Sequence, residues 1–155
     1  MSARGLRIGV VAARFNMNVV EGLLEGALSS LREMGAEEAQ LRVVRVPGAF
    51  ELPLAARWMC ESGKVDAVVA LGAIVKGETS HHVHLGREVL GALLRVGEAT
   101  GVPVACGVLT VESEAQALER SRRGDPDNRG AHAAAAAVEM AQRAREIKGG
   151  AGGAR

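Results

Sequence analysis

Hydrophobic residues along this chain alternate between short continuous runs and stretches in which they recur every three or four positions. The continuous runs are strand-sized, and most of their residues are apolar. Runs of this kind are typical of strands that are covered on both faces. The pattern therefore predicts four buried strands: Leu6–Ala13, Leu41–Val46, Asp66–Leu71 and Val104–Val111.

The periodic stretches between and after these runs predict five helices. Gly35 and Gly63 end the first two helices, and Ser113 with Gln116 forms a capping box that opens the fourth. The predicted helices are Asn18–Met34, Pro53–Ser62, His82–Thr100, Ser113 to about Arg122, and Gly130–Lys148. In the third helix, five apolar residues are predicted to face the core: Val89, Leu90, Leu93, Leu94 and Val96.

The alternation of strands and helices predicts an α/β fold. Each crossover is long enough to return the chain for parallel pairing, which places helices on both faces of a parallel sheet. The chain contains no internal repeat and no linker. We therefore predict a single domain over residues 1–148, a polar loop over Arg123–Asn128, and a disordered Gly-rich tail over 149–155.

Charge and composition narrow the range of partners. The net charge of the 155 residues is +1, which gives no reason to expect binding to nucleic acid or to an anionic membrane. The apolar runs are too short to span a bilayer, and the N-terminus does not resemble a signal peptide. Cys60 and Cys106 lie in apolar segments and are predicted to be buried free thiols. These features indicate a cytoplasmic protein.

The segment from Val68 to His82 is the first candidate functional site. An apolar run there leads into the turn Gly77–Ser80, and a helix follows directly. Free backbone N–H groups at a helix start, together with the helix dipole, favour an anion such as phosphate. His81 stands beside this turn, and a histidine can carry a proton near neutral pH. An ordinary helix cap at Thr79 or Ser80 beside a surface histidine fits the same residues.

A second group of candidates follows the first two predicted strands. Phe15 and Asn16 follow the first strand, and Phe50 and Glu51 follow the second. Ligands of open α/β sheets lie beyond the carboxyl ends of the strands, and a flat ring with polar neighbours suits a planar heterocycle. Packing of Phe15 on the first helix and of Phe50 under the second is the alternative for each ring.

Several motifs in this order resemble the 6,7-dimethyl-8-ribityllumazine synthase family of riboflavin biosynthesis. They extend from about Arg7 to Ala141, and they are RIGVVAARFN, LLEGAL, VVRVPGAFELPLAA, SGKVDAVVALGAIVKGET, GVPVACGVLT, QALER and NRGAHAAAAAVEMA. The resemblance implies a three-layer α/β/α flavodoxin-like fold with strand order 2-1-3-4. It also implies condensation of 5-amino-6-(D-ribitylamino)uracil with 3,4-dihydroxy-2-butanone 4-phosphate, without a cofactor or a metal.

The resemblance further implies roles for individual residues. Phe15 matches the residue that stacks on the pyrimidine, Glu51 a residue near the ribityl hydroxyls, and His81 the proton donor. The other matches to the uracil site are Asn16, Ala49, Phe50, Ala73, Ile74, Val75 and, from the adjacent subunit, Cys106. The matches to the phosphate site are Gly77, Glu78, Thr79, Arg120 and Arg129, with Arg120 contributed by the adjacent subunit.

Four positions and one loop depart from the family pattern. His82 and Val83 follow His81, where the family commonly has an aromatic and then an acidic residue. Cys106 stands where phenylalanine is frequent, and Arg129 where lysine is usual. The loop over Arg122–Asn128 is slightly longer than the corresponding loop of the family and lacks its usual GTKAGN sequence.

The resemblance implies a homo-oligomer with active sites between adjacent subunits, built as a pentamer or a multiple of pentamers. Only about six residues precede the first predicted strand, and the loop before the last helix is long and charged. Both features favour isolated or paired pentamers over an icosahedral shell. Riboflavin synthase is a candidate partner of such an assembly.

The sequence fits other functions of this fold less well. A flavin carrier of the same fold calls for a Ser/Thr/Gly-rich loop after the first strand, where this chain has ARFN, and a phospho-receiver calls for an acidic pair there. His81, His82 and His84 could suggest a metal, but no cysteine or carboxylate completes the spacing of a site. A non-catalytic lumazine-binding or shell-forming protein is the remaining alternative.

Overall fold

The computed structural model describes residues 1–149, which form a four-stranded parallel sheet between two layers of helices. The sheet order is β2-β1-β3-β4, so the predicted order 2-1-3-4 and the three-layer fold are confirmed. The strands are β1 Ile8–Ala13, β2 Leu41–Val46, β3 Ala67–Val75 and β4 Val104–Val111. The helices are α1 Met17–Glu33, α2 Leu52–Glu61, α3 His81–Thr100, α4 Glu114–Arg120 and α5 Arg129–Gly149.

The two faces of the sheet support two separate cores. In β1, Ile8, Val10 and Ala12 pack with α1, α4 and α5 on one face, while Val11 and Ala13 pack with α2 and α3 on the other. All six residues of β1 are buried, which is why its sequence shows no polar alternation.

The third strand begins one residue later and ends four residues later than predicted, at Ala67 and Val75. Pairing with β4 continues past Leu71, through Gly72↔Val108 to Val75↔Val111. A Cβ on Gly72 would lie 3.0 Å from Leu52 Cδ1, so this glycine makes room for the second helix rather than for a turn. Ala73, Ile74 and Val75 therefore belong to the sheet.

Smaller differences lie at the helix ends. Helix α4 ends at Arg120, two residues before the predicted end, and an unpredicted 3₁₀ turn occupies Ala49–Glu51. Ser113 Oγ accepts from Gln116 N as a capping box requires, but Gln116 Oε1 accepts from Glu112 N. Gly149, predicted to begin the tail, is the last residue of α5, and the other tail residues lie outside the described part of the chain.

The last residue of the predicted polar loop, Asn128, is buried and caps α5. Its Oδ1 accepts from Gly130 N at 2.9 Å and from Ala131 N at 3.1 Å. Its Nδ2 donates to Gly22 O at 3.1 Å and to Arg122 O at 3.0 Å. One amide side chain thus ties the start of α5 to α1 and to the preceding loop.

The N-terminal segment packs on its own subunit. Ala3 and Leu6 are fully buried in the core shared with α1 and α5. Arg7 and Arg145 both contact the Asp66 carboxylate, at 3.1 and 3.4 Å. Burial of this carboxyl raises its pKa, but the hydrogen bonds and charge of Arg7 and the charge of Arg145 outweigh that effect, so the pKa of Asp66 lies below its usual range.

Several apolar side chains remain exposed on the helices. Leu90 and Leu94, predicted to be buried, are exposed, because the turns of α3 that face the core use Gly86, Val89, Leu93 and Val96. Trp58 on α2 is 64% exposed. Across residues 1–149, no helix combines the length and the apolarity needed to cross a bilayer.

Candidate active site

The loops that follow β1 and β2 meet at the carboxyl edge of the sheet. Arg14 N donates to Val46 O at 2.8 Å, and Phe15 N donates to Pro47 O at 3.0 Å. These two bonds continue the strand pairing past the ends of the strands. The aromatic residue after β1 is therefore held directly beside the segment that follows β2.

Asn16 ties the same loop to the third strand. It adopts a left-handed backbone conformation (φ 60°), which lets the chain turn from β1 into α1. Its Nδ2 donates to Ala73 O at 2.8 Å. This hydrogen bond brings two predicted site segments together, and it leaves Asn16 Oδ1 as an acceptor.

Phe15 and Phe50 present their rings to solvent. Phe15 is 71% exposed and Phe50 is 73% exposed, so neither ring packs on or under a helix of its own subunit. Large exposed aromatic rings at a sheet edge are typical of surfaces that bind a ligand or another subunit. The packing alternative considered from the sequence is therefore wrong for both rings in the isolated subunit.

Glu51 is held by its own turn. Its Oε2 accepts from Gly48 N at 2.9 Å, and its backbone N donates to Gly48 O at 3.2 Å. The side chain remains exposed. The turn thus fixes the direction of the carboxylate, while Oε1 keeps its capacity to accept hydrogen bonds from a bound molecule.

The turn between β3 and α3 offers free donors. Within residues 1–149, none of the backbone N–H groups of Gly77, Glu78, Thr79 and Ser80 donates to a protein acceptor. Ser80 is the N-cap residue of α3, but its side chain makes no capping bond. Thr79 Oγ1 instead accepts from His81 N at 3.3 Å. The four amides are therefore free to donate to an anion.

The three histidines of this region face different surroundings. His81 is exposed beside the turn, and His84 Nε2 lies 3.4 Å from Ser80 Oγ. His82 is buried, at 6% exposure. Among the described residues, no three His, Cys, Asp or Glu side chains converge on a position where a metal could bind.

A second group of predicted residues lies along the outer edge of β4. Cys106 and Arg129 line a recess of about 270 Å³ there, together with His132. Cys60 is buried as predicted, whereas Cys106 is exposed, because β4 is the edge strand. Desolvation of the sulfur by its neighbours raises the pKa of the Cys106 thiol. The thiol is therefore a wall of the recess and a poor nucleophile.

His132 is an exposed residue of α5 that lines the same recess. It lies one turn into α5, on the same exposed side as Arg129, and its Nε2 lies 2.7 Å from Pro126 O. No local motif surrounds it in the Ala-rich stretch of α5. The three-residue spacing from Arg129 was the only available signal, since residues i and i+3 share a helix face.

Arg120 ends α4, and its Nη1 donates to Gln116 O at 3.2 Å within the same helix. Helix α4 packs against α1, while α3 with His81 belongs to the opposite layer.

Arg122 and Arg123 form ion pairs with Asp125 and Glu25. Both arginine side chains are largely exposed, as is usual for surface ion pairs that contribute little to stability.

Comparison with known proteins gives one consistent result. The family model of 6,7-dimethyl-8-ribityllumazine synthase matches residues 5–145. The chain is 48% identical over 145 residues to a protein of that name from Thermococcus gammatolerans, covering 94% of this chain and 92% of the relative. It is 44% identical over 142 residues to the one from Halorhodospira halophila, covering 92% and 90%. For the one from Azoarcus sp. the identity is 43% over 141 residues, covering 91% and 87%. Extending over nearly the whole fold, these matches show that the chain belongs to the 6,7-dimethyl-8-ribityllumazine synthase family.

Proposed function

We propose that this chain condenses 5-amino-6-(D-ribitylamino)uracil with 3,4-dihydroxy-2-butanone 4-phosphate to form 6,7-dimethyl-8-ribityllumazine, with release of phosphate and water. This is the penultimate step of riboflavin biosynthesis, and we place the enzyme in the cytoplasm. The family membership supports the reaction. The observation that carries it is the turn Gly77–Ser80, whose unpaired amides lie beside the exposed His81.

The uracil substrate binds at the carboxyl edge of the sheet in this proposal. The exposed ring of Phe15 stacks on the pyrimidine, and the backbone of Ala49 and Phe50 lies along it. The fixed carboxylate of Glu51 accepts hydrogen bonds from ribityl hydroxyls. Asn16 Oδ1 faces the same edge, and the ends of Ala73, Ile74 and Val75 form the second wall.

The phosphorylated substrate binds with its phosphate on the turn. The amides of Gly77, Glu78 and Thr79 donate to phosphate oxygens, and the guanidinium groups of Arg120 and Arg129 neutralise the charge. Charge-assisted bonds of this kind are about twice as strong as neutral ones. Arg120 and His81 are carried by helices of opposite layers, which supports a site assembled from two subunits.

The chemistry consists of a condensation, an elimination and a ring closure. The 5-amino group of the uracil attacks the ketone, and water leaves as the imine forms. Loss of phosphate then gives an enol, which becomes a ketone, and attack by the ribityl-bearing nitrogen with loss of a second water closes the ring. Holding both substrates in one site supplies much of the rate acceleration. His81 moves protons at the leaving groups, which adds about 10²- to 10⁴-fold.

The outer side of β4 supports assembly with further copies of the chain. An apolar groove of about 470 Å³ runs between α3, β4 and α5. Leu94, Met140 and Ile147 line it and are 65%, 53% and 79% exposed. Burying a Leu or an Ile side chain contributes roughly 1.5–3 kcal/mol, so a ring that covers this groove is favoured over the monomer. Riboflavin synthase remains the candidate partner of the assembled enzyme.

Replacing His81 tests the proton-transfer role. We expect His81→Ala to lower kcat severalfold or more and to leave the fold intact, because positioning of the two substrates remains. Steady-state formation of the lumazine product from both substrates, followed by its absorbance, measures the effect. The exposed His84 on the same helix is the matched control, and His84→Ala should keep near-normal turnover. Unchanged turnover in His81→Ala would rule out proton transfer by this residue.

The size of the assembly tests the shared site. We expect isolated or paired pentamers, because the loop before α5 is long and charged and because Ala3 and Leu6 are buried in their own subunit. Light scattering on the purified protein gives the particle mass. A particle of capsid mass would overturn the preference for separate rings. A fully active monomer would overturn the shared site itself.

A further inference from the structure

Within the described part of the chain, His82 is a buried side chain without a hydrogen bond. It is 6% exposed, and neither ring nitrogen has a partner within residues 1–149. Leaving a buried polar group unpaired destabilises the fold, and folded proteins rarely do so without a reason. The proposed reaction assigns no role to this imidazole, although it follows His81 directly.

The carboxylate of Glu112 lies close to this imidazole. His82 Nε2 lies 3.9 Å from Glu112 Oε1, and Glu112 Oε2 lies 3.3 Å from Lys76 Nζ. The Glu112 side chain is 65% exposed and therefore free to rotate. A movement of about 1 Å would close the gap to the length of an N–H···O hydrogen bond. One carboxylate thus stands between a lysine and a histidine.

Lys76 and His82 flank the anion turn. Lys76 directly precedes Gly77, and its backbone N donates to Val111 O at 2.9 Å, which anchors that end on β4. The other end of the turn is the first turn of α3, where His82 faces inward. Glu112 follows β4, so the same strand can hold both ends through one side chain.

We infer that His82 is a positioning residue that, through Glu112 and Lys76, holds both ends of the anion turn in one geometry. When an anion occupies the turn, His82 Nε2–H donates to Glu112, and the amides of Gly77–Ser80 keep a common orientation. By linkage, closure of this contact and binding of the anion favour each other. The inference rests on the proposed function only in taking the turn as the anion site.

The first test measures the affinity for inorganic phosphate by calorimetry on the assembled protein. His82→Phe keeps the buried volume and removes both unpaired nitrogens, so we expect an unchanged or higher unfolding temperature. We expect the Kd of phosphate to rise about 3- to 10-fold, the effect of one lost hydrogen bond. His82→Gln restores an N–H donor and should recover most of the affinity.

Glu112→Ala separates positioning from electrostatics. Removing a negative charge close to an anion site would tighten phosphate binding if Coulomb repulsion alone acted. The inference predicts weaker binding instead, and no further loss when His82→Phe is added. Glu88 lies exposed on α3 and forms no ion pair within the described part of the chain, so Glu88→Ala is the charge-matched control. This control should bind phosphate equally well or slightly more tightly.

Unchanged phosphate affinity in His82→Phe, or tighter binding in Glu112→Ala, would overturn the inference. Product formation by the wild type separates it from the proposed reaction. If the wild type turns over normally and His82→Phe binds phosphate with the same Kd, the positioning role is wrong and the proposed reaction stands. Phosphate binding that depends on His82 in a protein that forms no product supports the positioning role and counts against the reaction. A wild type that binds no phosphate overturns the inference.

Discussion

Arg120→Ala should raise the KM for the phosphorylated substrate by roughly one to two decades and leave the KM for the uracil substrate nearly unchanged. A hydrogen bond to a charged group contributes about 1.5–3 kcal/mol, which corresponds to this range. Within residues 1–149, the Arg120 side chain makes one hydrogen bond, from Nη1 to Gln116 O of its own helix, so little stability is lost with the side chain. Initial rates measured with each substrate varied in turn give the two constants.

Arg122 provides the matched control for this prediction. It lies two residues further along, and its ion pair with Asp125 at 3.7 Å is exposed. Arg122→Ala removes the same charge from the same region and should change neither KM by more than about twofold. An equal rise in both constants for Arg120→Ala would contradict a phosphate-specific role.

Mixing the two impaired variants tests whether His81 and Arg120 of one site come from different subunits. If His81 and Arg120 of one site come from neighbouring subunits, reassembly of an equal mixture of His81→Ala and Arg120→Ala should restore about a quarter of the sites. At each interface, the subunit that supplies His81 has an even chance of carrying it, and its neighbour has an even chance of carrying Arg120. Both residues are therefore present at about a quarter of the sites. Activity that stays at the average of the two variants would place both residues in one subunit.

Asn128→Ala should lower the free energy of unfolding by about 2–4 kcal/mol. Loss of the helix cap alone typically costs about 1–2 kcal/mol. The variant also leaves Gly22 O and Arg122 O without the donor that Asn128 Nδ2 supplies, and a buried unpaired group adds about 1–3 kcal/mol. Urea denaturation followed by circular dichroism, at one protein concentration because the chain assembles, measures the difference.

Two further variants show which hydrogen bonds of Asn128 account for the loss of stability. Asn128→Asp keeps the acceptor for Gly130 N and Ala131 N but loses both donated bonds, so its stability should lie between those of Asn128→Ala and the wild type. Asn18 donates a single exposed bond to Glu114 at 2.9 Å, and Asn18→Ala should cost less than about 1 kcal/mol. A loss in Asn128→Ala no larger than that in Asn18→Ala would contradict the importance of the cap.

Local sequence was sufficient for the elements that end at strong breakers. Strands β2 and β4 have the predicted bounds because Pro47 and Gly48 follow the first and Pro103 precedes the second. The third strand was predicted to end too early, at Leu71. The sequence alone does not show whether the next residue, Gly72, ends a strand or makes room for a packed side chain. Only the position of Leu52 distinguishes the two cases.

Exposure was harder to predict than secondary structure. Cys106, Leu90 and Leu94 are apolar and were predicted to be buried, yet all three are exposed in the isolated subunit. Periodicity reports that a position is apolar, but it does not report whether the neighbour that covers it belongs to the same chain. For such residues, the burial predicted from the sequence can differ from the burial seen in one isolated subunit.

The candidate site was predictable in parts. Phe15, Asn16, Glu51 and Ala73 lie together because parallel strands end at one edge, which the alternation of elements already implied. Contact of His132 with the recess could not be predicted, since it depends on how α5 lies against β4. Asn128 was placed in a loop for a similar reason, as its partners are distant in sequence.

The sole tryptophan gives this protein an unusual optical signature. The chain contains one tryptophan and no tyrosine, so its near-ultraviolet absorbance and intrinsic emission come almost entirely from Trp58. That indole is 64% exposed on α2, and unfolding of an isolated subunit would move it from one aqueous setting to another. Its emission wavelength is therefore a weak reporter of subunit unfolding and a sensitive reporter of any surface that comes to cover α2.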